Sequence, residues 1–189
     1  RLIKAGFTHV VDADLSSYFD TIPHDRLMVL VESRISDGRI LELICRYLKQ
    51  DVVSDLKRWA PTGGTPQGAV ISPLLANLYL HPLDLLMQSK GLRMVRYADD
   101  FVVMCPSAQA ARSALGEINA WVEANGLRLH PDKTHVGDCA LAGQGFEFLG
   151  YRFEAGRRWV RKKSLKALRD RIRSKTKRSR GNSIGQIIE

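Results

Sequence analysis

The sequence predicts an α+β fold, with helices packed on one side of an antiparallel sheet. Three observations carry this. Two apolar, β-prone runs, Leu92-Arg93-Met94-Val95-Arg96 and Phe101-Val102-Val103-Met104-Cys105, flank a tight turn and read as a hairpin over 93–105. Four stretches read as helices, at 24–35, 39–49, 73–89 and 108–125. Short strand-like runs at 9–14, 52–57, 127–129, 134–138, 146–153 and 157–161 supply the rest of the β structure.

The first strand, 9–14, ends at Asp14, where the chain turns through Leu15-Ser16-Ser17-Tyr18-Phe19-Asp20. Asp12 lies two residues back on the same face, and its pattern suits an exposed or salt-bridged strand residue. Asp20 suits a capping or turn acid ahead of the helix that starts near His24. Between the second and third helices runs Thr62-Gly63-Gly64-Thr65-Pro66-Gln67-Gly68, whose glycines let the backbone approach a ligand or adopt positive φ. No Gly-Lys-Ser/Thr follows, so it is not a phosphate loop of that pattern. Ser72-Pro73 reads as an N-cap with Pro at the first helical position, and Pro82 is expected to kink or divide the helix.

The hairpin turn holds Tyr97-Ala98-Asp99-Asp100. By itself an Asp-Asp pair also fits a solvated turn. Two carboxylates about 4 Å apart repel by roughly 4 kcal/mol at an effective dielectric near 20. A divalent cation removes that cost, and oxygen donors suit Mg²⁺. One carboxylate from a strand end and two from a hairpin form a set able to hold two metals for phosphoryl displacement. The helix at 108–125 places Ala111, Leu115, Ile118, Trp121 and Val122 on one face, with Ser107 as its cap and Gly126 after its end.

The net charge of +9 is unevenly spread. Residues 157–180 hold 13 Lys/Arg and one acid, Asp170, a net of +12, whereas residues 1–156 carry a net of −2. A helix expected from about Ser164 keeps Leu165, Leu168 and Ile172 as an apolar stripe, with basic residues on its other faces. A solvated helix mixes charge signs, so this run points to a phosphate-binding face; the narrow stripe argues against a membrane surface. Cys45, Cys105 and Cys139 show no CxxC or zinc spacing and suit a reducing cytoplasm, with Cys45 and Cys105 expected in the core. No signal peptide or transmembrane stretch is visible.

In order along the chain, Asp14–His24, Gly64–Leu80 and Arg96–Phe101 resemble the palm of reverse transcriptases, most closely the group II intron type. Gly126–Thr134 and Phe146-Glu147-Phe148-Leu149-Gly150-Tyr151 resemble two later blocks of that family. The resemblance implies a polymerase palm over 1–156 and a palm–thumb junction with the start of a basic thumb over 157–189. It implies RNA-directed DNA synthesis, in which Asp14, Asp99 and Asp100 with the Leu15 carbonyl ligate two Mg²⁺, Mn²⁺ being a possible substitute. Ser16, Ser17, Tyr18 and Phe19 would meet the dNTP, their amides toward the triphosphate and the Phe19 ring against the 2′ carbon. Gln67 and Gly68 would line the nucleotide pocket, while Lys133 is either an approach to the site or an ordinary exposed lysine.

Arg161, Lys162, Lys163, Lys166, Arg169 and Arg173 would grip an RNA template and DNA primer, or intron RNA, with no membrane involved. An RNA-holding maturase role and a retron or defence-associated enzyme are the competing implications. The family's fingers segments normally precede the first strand, and the chain starts at Arg1, so an excised fragment with weak or no activity of its own is expected.

Overall fold

The computed structural model describes residues 1–54, 57–59, 63–66 and 68–176; for 52–54 and 57–59 only the backbone is described. The chain divides into two compact units, Arg1–Asp138 and Cys139–Glu189. Residues 139–156, grouped by sequence with the palm, thus cluster with the basic segment.

The first unit is built on a four-stranded sheet in the order β4-β5-β1-β6. Its strands are β1 (His9–Ala13), β4 (Arg93–Tyr97), β5 (Asp100–Cys105) and β6 (His135–Asp138), and every pairing is antiparallel. A short hairpin, β2 (Val52–Ser54) with β3 (Lys57–Trp59), stands where one strand was expected. The helices are α1 (Tyr18–Thr21), α2 (His24–Glu32), α3 (Gly38–Leu48), α4 (Ser72–Ser89) and α5 (Ala108–Ala124).

Register sorts the sheet faces. His9 pairs with Cys105, Val11 with Val103 and Ala13 with Phe101. The apolar members of this set join Leu75, Leu80 and Leu83 of α4 and Ala111, Ile118 and Val122 of α5 in one core. Each large side chain so buried contributes roughly 1.5–3 kcal/mol of transfer free energy. Helices therefore cover the face bearing the odd-numbered residues of β1, as an α+β layer requires. The buried residues of α5 are Ala111, Ala114, Ile118 and Val122, so small Ala114 sits in the stripe while Leu115 and Trp121 flank it. Ser107 caps α5 as expected, accepting from the Ala110 amide at 3.1 Å.

Several expectations are corrected. The one-turn helix α1 was not foreseen, and it takes in Asp20, whose amide donates to the Ser17 carbonyl at 2.9 Å. α2 ends three residues early. Ser72 is the first residue of α4 rather than its cap: its hydroxyl donates to the Pro66 carbonyl at 2.7 Å and so ties the glycine loop to the helix. α4 runs unbroken through Pro82. Segment 127–129 is not a strand but holds a single bridge, Leu129 with Leu15. Cys139 and Cys105 are buried, whereas Cys45 is only half-buried.

The second unit is a meander of β7 (Phe146–Phe148), β8 (Tyr151–Glu154) and β9 (Arg157–Val160), followed by α6 (Lys162–Lys175). The run 146–153 is split because Leu149 and Gly150, at φ +47° and +82°, form a two-residue hairpin loop. Phe146 and Phe153 stack with ring centroids 5.1 Å apart. α6 begins at Lys162 and buries no residue; Leu165, Leu168 and Ile172 stay 37–55% exposed. Among the described residues no helix is long and apolar enough to cross a membrane.

Candidate active site

Asp14 lies one residue past β1, on the face away from the helices. Continuing the β1–β5 register one step beyond Ala13–Phe101 sets Asp14 opposite Asp100. The backbone here is clamped from the other side. The His130 amide donates to the Asp14 carbonyl at 2.8 Å, and the Ser16 amide donates to the Arg128 carbonyl at 2.9 Å. In this antiparallel bridge the Leu15 N–H and C=O face away from 127–130, so the Leu15 carbonyl stays outside that ladder. The Ser16 amide, expected to face the triphosphate, is thus engaged by the Arg128 carbonyl.

Asp99 and Asp100 sit at the closed end of the β4–β5 hairpin. Tyr97 pairs with Asp100, leaving Ala98-Asp99 as a two-residue loop with Ala98 at φ +54°. Positive φ at the first loop position is what such hairpins demand, and a residue with a Cβ holds it only when its surroundings enforce it. Arg96 does so. Its guanidinium donates through Nε and Nη2 to the two Asp84 carboxylate oxygens, at 2.9 and 2.5 Å, and through Nη1 to Asn77 Oδ1 at 2.8 Å and the Ala98 carbonyl at 3.0 Å. The Asp84 bond comes first among the causes that raise the Arg96 pKa. The sequence signal for this cluster was Asn77 and Asp84 seven residues apart, hence on one face of a helix, but nothing local linked that face to Arg96.

Lys133 reaches the site. Its Nζ donates to Asp14 Oδ2 at 2.5 Å. The hydrogen bond and charge of Asp14, then the charges of Asp99 and Asp100, raise the lysine pKa. Lys133 thus stands on Asp14, with Asp99 and Asp100 acting on it only through their charges. Asp12 lies beside His135, whose Nε2 is 3.5 Å from its Oδ2. Among the described residues no three acidic, histidine or cysteine side chains are drawn together as a ready-made metal cluster. The donor chemistry nonetheless fits Mg²⁺ or Mn²⁺, because the converging groups are hard carboxylate oxygens and a cation already stands on one of them.

The glycine loop passes beneath α1. The Gly64 amide donates to the Ile22 carbonyl at 2.8 Å, the Thr65 amide to the Phe19 carbonyl at 2.6 Å, and the Gly64 carbonyl accepts from His24 Nε2 at 2.6 Å. Tyr18 is buried and its hydroxyl donates to the Ala76 carbonyl at 2.6 Å. Burial keeps that hydroxyl protonated far above its ordinary range. Tyr18 is therefore a strut between α1 and α4, while the half-buried Phe19 packs edge-on to it at 5.5 Å between centroids. Gly68 is exposed at φ +84°, and Gln67 lies outside the described residues.

Of the basic residues, Lys162, Lys163, Lys166, Arg169 and Arg173 are exposed on α6. Arg161 is half-buried, with Nε 3.7 Å from Glu147 Oε2, so part of its charge is answered within the unit. Arg158 and Arg157 stack over Tyr151 and Trp159 at 4.9 and 5.8 Å. The second unit carries a net charge of +10, and the first a net of −1.

Comparison with known proteins adds to this geometry. A family profile described as reverse transcriptase (RNA-dependent DNA polymerase) matches residues 2–153. The chain is 34% identical over 181 residues to the Escherichia coli protein YkfC, covering 76% of this chain and 46% of that protein. It is 40% identical over 79 residues to the group II intron-encoded protein LtrA of Lactococcus lactis, covering 42% of this chain and 13% of that one. A solved structure of apo telomerase from Candida tropicalis shares the fold, with a TM-score of 0.65 at 14% identity, over 84% of this chain and 37% of that one. The chain spans less than half the length of the curated relatives it matches.

Proposed function

The chain belongs to the reverse transcriptase (RNA-dependent DNA polymerase) family, in its group II intron-type branch, and from that membership we propose that its first unit is the catalytic palm. The reaction joins a dNTP to a DNA primer paired with an RNA template. The primer 3′ oxygen bonds to the α-phosphorus, and the bond from that phosphorus to the pyrophosphate leaving group breaks. The observation that carries this reading is the β1–β5 register, which continues to set Asp14 opposite Asp100, with Asp99 beside it at the hairpin end and Lys133 bonded to Asp14.

Asp14, Asp99, Asp100 and the Leu15 carbonyl would hold two Mg²⁺, with Mn²⁺ as substitute. When bound, such ions neutralise the carboxylates and stabilise the attacking and leaving oxygens of in-line displacement. Lys133 holds the Asp14 carboxylate in place and offsets the mutual repulsion of the three acids. Ser17, Tyr18 and Phe19 open α1, where backbone amides point outward to receive an anion such as the triphosphate. The Phe19 ring, half-buried and edge-on to Tyr18, would crowd a ribose 2′ hydroxyl and offer it no partner. Gln67 and Gly68 complete the pocket in this reading.

The basic face of α6, with Lys162, Lys163, Lys166, Arg169 and Arg173, binds template–primer phosphates without reading sequence. The same face supports a second role in holding intron RNA, since its charge greatly exceeds what the unit itself neutralises. Three free cysteines fit a reducing, cytoplasmic setting.

The test is Mg²⁺-dependent extension of oligo(dT) on poly(rA) by the protein carrying this segment in its complete reading frame. Asp99→Asn and Asp100→Asn are expected to abolish extension while leaving the fold and RNA binding intact. Extension that survives both changes would sink the assignment.

A further inference from the structure

We propose that Arg96 is a positioning residue for the metal-binding turn, orienting Asp99 through the Ala98 carbonyl. The inference rests on the reading of Asp99 as a metal ligand. Arg96 belongs to β4, whose partner β5 is fully flanked while β4 itself is the sheet edge. Its side chain is 11% exposed and points to the helix-covered face, where a charge survives only if each donor is answered. Asp84 takes two donors in a fork, and Asn77, two helical turns earlier on α4, takes a third. That leaves the guanidinium plane rigid, as a planar bidentate cation can be and a lysine cannot.

The remaining bond then acts on the turn. Nη1 donates to the carbonyl of Ala98, the residue immediately before Asp99. A carbonyl fixes the plane of its peptide, so this contact sets the Ala98–Asp99 peptide and with it the direction of the Asp99 side chain. Ala98 is held at φ +54°, a left-handed conformation that a residue with a Cβ seldom adopts unless its surroundings hold it there. Asn77 and Asp84 sit on α4, which packs into the same core as β5, so the reference frame for the turn is the core itself and not the exposed edge strand.

The experiment is a Mn²⁺ titration of the full chain, read by electron paramagnetic resonance, with amide hydrogen exchange and thermal melting on the same samples. The variants are Arg96→Lys, Arg96→Gln and Asn77→Ala, with Asp99→Asn as control. Losing one charge-assisted hydrogen bond is expected to weaken Mn²⁺ binding roughly tenfold in Arg96→Lys. Exchange at Asp99 and Asp100 should quicken while Val102 and Val103 keep their protection. Should Arg96→Gln fail to fold, Arg96→Lys and Asn77→Ala carry the test. Parent-like Mn²⁺ affinity and turn exchange in both, with binding lost in Asp99→Asn, would show that Arg96 only anchors β4 to α4 and overturn the proposal. Parent-like binding in Asp99→Asn would instead overturn the metal reading on which it stands.

Discussion

Gly64 offers the sharpest check on how the glycine loop supports α1. A Cβ at Gly64 meets the Phe19 carbonyl oxygen at 2.6 Å and the Asp20 carbonyl carbon and Cα at 2.8 Å. All three are backbone atoms of α1, so no side chain can swing aside. Gly64 is also at φ +83°. Gly68, in the same loop at φ +84°, has nothing among the described residues within 4 Å of the added atom. Gly68→Ala therefore isolates the conformational term, about 1–2 kcal/mol. Gly64→Ala carries that term plus an overpacking term of about 1–3 kcal/mol, for a total of roughly 2–5 kcal/mol. For a chain of this size each kcal/mol moves the melting temperature by about 2–4 °C. The assay is chemical and thermal unfolding of the two variants beside the parent. Gly64→Ala should melt several degrees below Gly68→Ala and lose hydrogen-exchange protection at Thr65, whose amide bonds Phe19. Equal losses in the two variants would refute the close approach of the loop to α1.

Two further outcomes follow from the electrostatics. Lys133→Met removes the cation on Asp14, so the variant should melt below the parent in chelator, and added Mn²⁺ should narrow the gap; a gap indifferent to Mn²⁺ would count against a shared site. Because the Lys133 pKa is raised, its contribution is fully present below the ordinary lysine value near 10.4 and fades only at higher pH, so the gap should be flat from pH 7 to about 10. In the second unit, Glu154 Oε1 accepts from Arg152 Nη2 at 2.7 Å and from the Gly143 and Gly145 amides at 2.8 and 3.4 Å. These bonds, Arg152 first, lower the Glu154 pKa, so their stabilisation is present above the ordinary glutamate value near 4.3 and is lost as pH falls through the lowered one. The protection of the Gly143 and Gly145 amides, taken relative to their intrinsic exchange rate at each pH, should therefore fall in strong acid, and Glu154→Gln should lower it at pH 7.

What the sequence by itself determined is what local chemistry encodes. The alternation at 9–14, the hairpin around Ala98-Asp99, the helical stripe of 108–125 and its Ser107 cap all depend on residues within a few positions of each other. The order of the acid, glycine-loop and hairpin blocks was enough to name the family later matched over residues 2–153. Local signals also misled at two places. Ser72 looked like a cap and instead reaches back to Pro66, and one expected strand broke at Leu149-Gly150.

Only the tertiary structure decided which distant residues share the site. Asp14 faces Asp100 because β1 and β5 pair in one register, and Lys133 reaches Asp14 across 119 positions because His130 and Arg128 bind the backbone on either side of Leu15. Arg96 finds Asp84 and Asn77 because β4 packs on α4. A slip of one residue in the β1–β5 pairing would turn Asp14 to the helix-covered face and dissolve the site without changing any local pattern. Register is a property of two strands and the core they cover, so it is written in the packing of the whole unit and not in either segment.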